Sequence, residues 1–327
     1  MTHRRSLLTA ALAGTGLGAL PRAFAQADDW PRQTVRIIVP FSAGGASDVL
    51  TRLIAERLQT KFGQQFVVEN RTGAGGNIGM EAVQKAAPDG YTIASATIGT
   101  LTINEFLFAK LPYDPVKDFS SVSTIWENTN VLVVTAGHPA KNLKEFLAWA
   151  KAQPQGVTFS SSGVGTTPHL AGELFCLKTG IKGLHIPFRG AAQSMPEVIS
   201  GNVNFAIDNI ASWNPMLRAG KARALAVTSD YRWPTMTDVP TMSEAGVPDI
   251  VITSWGAFVV PAGTPAAIVN KLSAAVREFA ADPAQQQRFL GVGARSVSLT
   301  PQELTAFAAR ERIKWKEVVR VSGAKAE

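Results

Sequence analysis

Short apolar runs alternate with stretches in which apolar residues recur every three or four positions, from Val35 almost to the end of the chain. Val35-Arg36-Ile37-Ile38-Val39 predicts a strand, and 47–61 a helix whose Val49, Leu50, Leu53, Ile54 and Leu58 share one face. A second strand follows at 66–70, then a glycine loop and a helix over 77–87. Pro88-Asp89-Gly90 stops that helix with turn residues, and 91–96 makes a third strand. From Ile125 an apolar run through Val131-Leu132-Val133-Val134 is long enough to pass from one domain to another. Helices over 143–152, 169–178 and 192–200 then interleave with strands over 157–160, 184–187 and 205–209. Strands over 224–227 and 252–260 carry the chain back, and two helices close it. One starts at Thr264-Pro265; the other starts at Thr300-Pro301-Gln302-Glu303, with proline at N1 and a capping-box spacing. The alternation predicts an α/β protein with parallel sheets. A chain that leaves one domain, builds a second and returns describes a hinged clamp, with 26–126 plus 251–327 as one lobe and 127–250 as the other.

The first 25 residues stand outside that pattern. Arg4-Arg5 is a positive n-region, 7–20 is apolar and small, and Ala23-Phe24-Ala25 is an A-x-A cleavage pattern, so a signal peptide over 1–25 is expected. The apolar run is too short for a membrane span. Export can follow the Sec route or, given the paired arginines before Ser6-Leu7-Leu8, the twin-arginine route. Of the net charge of +7, three units (Arg4, Arg5 and Arg22) belong to this segment. The remaining Lys and Arg are scattered, which argues against nucleic acid as a partner. Cys176 is the only cysteine, so no intrachain disulfide can form. No later segment is apolar enough to enter a membrane.

Candidate chemistry starts where the first strand meets the first helix, at Pro40-Phe41-Ser42-Ala43-Gly44-Gly45-Ala46-Ser47-Asp48. The glycines let the backbone turn and approach a ligand, and Ser47 or Asp48 can cap the helix. First-turn N–H groups and the positive end of the helix dipole make an anion site. The pattern recurs at Ser160-Ser161-Ser162-Gly163-Val164-Gly165-Thr166-Thr167-Pro168-His169, where Thr167-Pro168 reads as a cap and an N1 proline. Ser42 and Ser47 add hydroxyls from one loop; Ser161, Ser162, Thr166 and Thr167 add them from the other. Two such loops, far apart in sequence, suggest an anion held between two domains. Asp48 beside an anion would repel it, so it caps the helix, orders the loop or meets an amino group. Arg71 and Arg189 follow strands and could counter a second carboxylate; Phe41 and Phe188 read as core or as cleft wall.

Catalytic patterns are weak by comparison. Neither G-x-S-x-G nor H-E-x-x-H occurs. His169 and Glu173 are spaced i, i+4, but no third or fourth ligand is evident, so no metal is expected. His185 reads as structural and Cys176 as core. Gly73-Ala74-Gly75-Gly76-Asn77-Ile78-Gly79 has the spacing G-x-G-x-x-x-G, not that of a dinucleotide loop, and no cofactor is expected.

An ordered set of motifs spans the chain beyond the signal segment. It comprises Pro40-Phe41-x-x-Gly44-Gly45-x-x-Asp48, Val68-Glu69-Asn70-Arg71-x-Gly73-Ala74-Gly75-Gly76-Asn77-Ile78-Gly79 and Pro88-Asp89-Gly90-Tyr91-Thr92. Gly163-x-Gly165-Thr166-x-Pro168-His169, His185-Ile186-Pro187-Phe188-Arg189-Gly190, Asp238-Val239-Pro240-Thr241 and Pro261-Ala262-Gly263-Thr264-Pro265 continue it. The set resembles the Bug, or TctC-like, extracytoplasmic solute-binding proteins of tripartite tricarboxylate transporters. The resemblance implies a type II periplasmic-binding fold, with two α/β lobes joined by a hinge around a ligand cleft. It implies that the loops at 41–48 and 161–169 grip a carboxylate, partly through backbone amides, which marks Phe41, Ser42, Gly44, Gly45, Asp48, Ser162, Gly165, Thr166, Thr167 and His169. Thr97, Ile98, Gly99 and Asp208 would shape the rest of the pocket. Phe188-Arg189 stands where Tyr-Lys is commoner in relatives. The implied function is that of a monomeric, non-enzymatic periplasmic protein. It would capture a small mono-, di- or tricarboxylate, an aromatic acid or an amino acid, and present it to a membrane permease. A sensor adaptor for a signalling receptor and an exported enzyme acting on carboxylates are the alternatives. The absence of a visible nucleophile–base pair counts against the enzyme.

Overall fold

A computed structural model describes residues 29–326; the expected signal peptide over 1–25 lies outside them. The first apolar run is strand β1 (Val35–Val39), buried except at Arg36. It lies between two parallel neighbours, β2 (Phe66–Asn70) and β3 (Thr92–Thr97). Strands covered on both faces read as near-continuous apolar runs, as β1 does. The returning strand β9 (Thr253–Pro261) adds antiparallel to β3 and completes one side of the molecule. On the other side β5 (Val157–Ser161) pairs parallel with β6 (Gly183–Pro187) and β7 (Phe205–Asn209).

The two sides share β4 (Phe119–Thr135), longer than the sequence pattern implied. Its first part pairs with β9, and its second part with β7 and with β8 (Ala222–Val227). The strand order is therefore β2-β1-β3-β9-β4-β7-β5-β6, with β8 beside β4. Two lines of chain cross between the sides. One is β4 near Asn128–Asn130. The other is the return through Thr228, whose N–H donates to the Asn130 carbonyl at 2.9 Å, while the Ile252 N–H donates to the Thr228 carbonyl at 2.9 Å. One apolar cluster lies on the first side, around Ile37, Leu50, Phe258 and Leu272, and one on the second, around Val131, Val198, Trp213 and Trp233, while a third runs across both, from Ile38 and Ala94 to Leu132 and Phe159. This is the two-lobed α/β architecture of a type II periplasmic-binding protein.

The helices fall into place around those strands. The first, α1 (Ala46–Phe62), follows β1 directly. The next, α2 (Asn77–Gln84), ends three residues before the expected stop, because Lys85 already forms its C-cap. The segment after β3, expected as loop, winds through a π-type turn over Gly99–Ile103 into the short α3 (Asn104–Leu107). In the second lobe run α4 (Leu143–Lys151), α5 (Thr167–Thr179), α6 (Ala191–Ser200) and α7 (Ile210–Arg218). The tail holds three helices where two were expected: α8 (Ala266–Ala281), α9 (Pro283–Gly291) and α10 (Pro301–Ser322). Asp282 restarts the chain as α9 by accepting the Ala284 N–H at 2.9 Å, with Pro283 at N1. The capping box of Thr300 and Glu303 forms as read. Among the described residues no helix is long and apolar enough to cross a membrane.

Candidate functional site

Four helices point their N-termini at one small cavity between the lobes. The loop after β1 delivers the first, α1. Its N-cap is Gly45, without a side-chain cap, so neither Ser47 nor Asp48 takes the capping role foreseen for it. Asp48 instead turns back to brace the loop. It accepts the Gly44 N–H at 2.9 Å, the Asn70 Nδ2 at 2.9 Å and the Arg52 Nε at 3.0 Å, while Asn70 also donates to the Phe41 carbonyl. Burial alone would push the Asp48 carboxyl up. The hydrogen bonds from Arg52, Gly44 and Asn70 outweigh it and hold the group below the ordinary carboxylate range. Gly44 adopts φ +81°, which glycine supplies without strain.

Within the second loop, after β5, the ties are between neutral groups. The Ser161 hydroxyl accepts the Gly163 N–H at 3.1 Å and lies 2.7 Å from His185 Nε2. Thr166 Oγ1 donates to the Gly163 carbonyl at 2.6 Å, and the Gly165 N–H donates to His169 Nδ1 at 3.3 Å. The N-cap of α5 is Thr166, not Thr167, and proline occupies N2, not N1. With the Thr166 hydroxyl turned to Gly163, no side chain caps α5, and the buried Thr167 Oγ1 has no partner.

The other two termini escaped the sequence reading. Helix α6 starts at Ala191 after Gly190, and α7 starts at Ile210 after Asn209; neither has a side-chain cap. Asp208 sits behind this wall. It accepts Ser162 Oγ at 2.8 Å and the Asn209 N–H at 2.6 Å, so it ties the second loop to β7. Burial pushes the Asp208 carboxyl up against those hydrogen bonds.

The cavity measures about 40 Å³. Phe41, Gly45, Ser47, Thr97, Gly99, Ser162, Thr166 and Thr167 line it, joined by Trp126, Asn209, Ser212 and Ser254, which the sequence did not single out. Ser42, Gly44, Asp48, Ser161, Gly165 and Asp208 do not line it. No Lys, Arg, Asp or Glu faces it. An anion here would meet helix dipoles, backbone N–H groups and hydroxyls instead of a counter-charge.

The lobes touch around this space. The Ala46 N–H donates across the gap to Ser212 Oγ at 2.9 Å. Glycines permit the approach: a Cβ on Gly99 would lie 2.7 Å from the Gly165 carbonyl, and one on Gly75 would collide with that of Val164.

A second, larger space of about 910 Å³ adjoins the first, with Phe41 and Ser162 lining both. His169, Glu173, His185, Phe188 and Arg189 line it. Arg71 lines neither space and pairs with Glu69 at 2.7 Å. The His169 and His185 rings stack 4.2 Å apart at 21°, and Phe159 covers the far face of His185 at 5.0 Å. Burial pushes both imidazoles down, to about 4 for His169 and about 3 for His185, where the neighbouring His169 adds to the effect.

His185 is the third group near His169 and Glu173 that the sequence did not show, with one ligand atom of each within 4.8 Å of the others. The geometry is poor for a metal. Two nearly parallel stacked rings cannot both hold one ion in their planes. His169 Nδ1 accepts a hydrogen bond, whereas a ligating histidine donates from its second nitrogen. Ser161 and His185 form a serine–histidine contact that was not visible in the sequence. That serine is fully buried and already accepts an N–H, so the pair braces the loop. Burial, with a contribution from Glu173, pushes the Cys176 thiol up to about 12, which leaves it an inert core residue.

Comparison with known proteins gives the same architecture a lineage. Residues 50–323 match the TctC family profile, "Tripartite tricarboxylate transporter family receptor". Protein BugT of Bordetella pertussis is 36% identical over 300 residues, covering 91% of this chain and 92% of BugT. The structure of R. palustris Rpa4515 with adipate superposes with a TM-score of 0.89 at 36% identity, covering 91% of this chain and 100% of that one. MatC from Rhodopseudomonas palustris with bound malate gives 0.82 at 32% identity, over 89% and 100%.

Proposed function

This chain belongs to the TctC family of tripartite tricarboxylate transporter receptors, and from that premise we propose that it captures a small carboxylate between its lobes and presents the closed form to a membrane permease. The observation that carries the reading is the convergence of four helix N-termini without side-chain caps, α1, α5, α6 and α7, on a cavity that no charged side chain enters. The similar structures hold adipate and malate, both carboxylates. Each hydrogen bond to a carboxylate contributes roughly 1.5–3 kcal/mol and each helix terminus roughly 0.3–2 kcal/mol. Less the entropy of association, that corresponds to about micromolar affinity, ~8 kcal/mol.

The moving bodies are 26–126 with 251–327, and 127–250, bending where β4 and the return strand cross. A ligand that touches both lobes only when they meet shifts the population towards the closed form. The gripping residues are those in the lining or in the two loops that carry it: Phe41, Ser42, Gly44, Gly45, Ser47, Thr97, Gly99, Ser162, Gly165, Thr166 and Thr167. Asp48, Ser161, His169 and Asp208 hold the loops in shape, and Phe188 and Arg189 face the outer space. The protein works in the periplasm, delivered by the signal over 1–25, as a binding protein and not an enzyme.

A thermal-shift screen of the purified protein against mono-, di- and tricarboxylates, aromatic acids and amino acids tests the reading. A saturable rise in melting temperature for one class of acid is expected, because a ligand that binds only the folded state stabilises it. No rise with any acid would remove the carboxylate from the proposal.

A further inference from the structure

We propose that Asn104 is a positioning residue for ligand capture: from the first lobe it seats Gly165, and with it the second gripping loop, when the lobes meet. The inference rests on the carboxylate reading above. It also gives a role to the glycine loop over 73–79, no residue of which lines the inner cavity. Asn104 opens α3 and is fully buried. Its Nδ2 donates to the Gly75 carbonyl at 3.1 Å and to Asn77 Oδ1 at 2.6 Å. The Tyr113 hydroxyl lies 3.0 Å from the same Asn77 oxygen and 2.8 Å from the Thr100 carbonyl, which ties the two amides to the π-type turn after β3. Both N–H bonds of the Asn104 amide are thereby used inside the first lobe. That fixes which way the amide faces, because the reverse orientation would set its oxygen against the Gly75 carbonyl.

The Asn104 oxygen is buried without a hydrogen-bond partner, and it faces the second lobe. A Cβ on Gly165 would collide with it, so a Cα–H of that glycine points at the oxygen instead. A Cα–H is a weak donor, but no residue with a side chain could come as close. Gly165 precedes Thr166, the N-cap of α5, and gives its own N–H to His169 Nδ1 at 3.3 Å. His169 therefore holds it from within the loop and Asn104 from across the gap. Beside this contact the Val164 carbonyl occupies the space where Gly75 lacks a Cβ. The glycine loop and Asn104 form one seat for Val164-Gly165, and the seat decides where the N-terminus of α5 stands when the lobes are together.

Calorimetric titration with acetate, malate, adipate, citrate, benzoate and glutamate, together with dissociation rates, tests this. Gly165→Ala should weaken the acids that the wild type binds by about tenfold or more, because its methyl meets the Asn104 oxygen. Adding Asn104→Ala to that variant removes the oxygen and should recover at least about threefold of the loss. Asn104→Ala alone stays informative if Gly165→Ala fails to fold. It should weaken binding about threefold, through faster dissociation at an unchanged association rate, because the contact exists only in the closed form. A double variant no tighter than Gly165→Ala, or wild-type affinity and dissociation in Asn104→Ala, would overturn the inference while the carboxylate reading stood. If none of these acids binds the wild type, the carboxylate reading itself fails and takes this inference with it.

Discussion

A carboxylate gathers the loop after β1 from within, whereas the ties inside the loop after β5 are between neutral groups and its one carboxylate, Asp208, holds it from behind through Ser162. In the first, Asp48 gathers Gly44, Asn70 and Arg52 around one carboxylate. In the second, Ser161, His185, His169 and Thr166 exchange hydrogen bonds without a formal charge. Both present an uncapped helix terminus to the same cavity. The difference shows two ways to order a tight turn close to an anion. A negative brace is tolerable when its charge is neutralised outside the lining. Ties between uncharged groups inside the loop also avoid repelling an anion, but they work only while the imidazoles stay unprotonated.

Removing each brace is the sharpest way to break that comparison. Asp48→Ala leaves Gly44, Asn70 and Arg52 without their acceptor and should cost about 2–3 kcal/mol in chemical denaturation, part of the Arg52 loss being recovered by solvent. A loss under about 0.5 kcal/mol would show that the network is incidental.

Acid should unpick the second loop before the first. His169 and His185 titrate lower in the folded protein than their ordinary 6.5, so the unfolded chain takes up protons first. Their contribution is complete above about pH 6.5 and is lost as pH falls towards 4 and then 3. The slope reaches up to about 1.4 kcal/mol per pH unit for each histidine. His138, also pushed down by burial, adds in the same direction. Asp208 opposes them, because its raised carboxyl favours the folded state as it protonates. Asp48 keeps its contribution until the pH falls below the ordinary carboxylate range. Denaturation midpoints of a His169→Gln, His185→Gln variant should flatten between pH 6.5 and 4; a slope equal to wild type would assign the acid sensitivity elsewhere.

Gly99→Ala probes closure of the first lobe onto the second loop. The added methyl meets the Gly165 carbonyl only when the lobes are together, so affinity for a bound acid should fall about tenfold or more, roughly 1.4 kcal/mol. The melting temperature without ligand should change little, and unchanged affinity would show that the contact yields. The smallest effect belongs to Ser161→Ala, about 1 kcal/mol, since it removes neutral hydrogen bonds alone. A loss as large as that of Asp48→Ala would erase the distinction between the two braces.

Local signals in the chain account for much of the architecture. The periodicity of α1, the alternation of strands and helices, and the capping box at Thr300 depend on neighbours within four residues, which is why they could be read directly. Helices α6 and α7 show the limit. Both were open to a local reading, yet Pro196 and Pro215 lie inside them. A proline in that position ordinarily argues against a helix. Helix α6 was still read, one residue short, but its N-terminus was not connected to the site, and α7 was not read at all. The capping roles at Ser47, Asp48 and Thr167 were displaced by one to three positions, because glycine and hydroxyl loops allow several residues to end the same turn.

By itself, the order of apolar runs and turn residues determined the α/β class, the two glycine-hydroxyl loops that open helices, and the family motifs. Tertiary structure alone decided that those loops face each other, that two more helix termini join them, and that Trp126 lines the space between. It also brought His185 against His169 and Ser161. Helix caps and periodicity arise from hydrogen bonds and packing between near neighbours, so a short stretch of sequence carries them. Cross-strand register and the meeting of two lobes depend on residues from tens to more than a hundred positions apart, and no local pattern records which of those will touch.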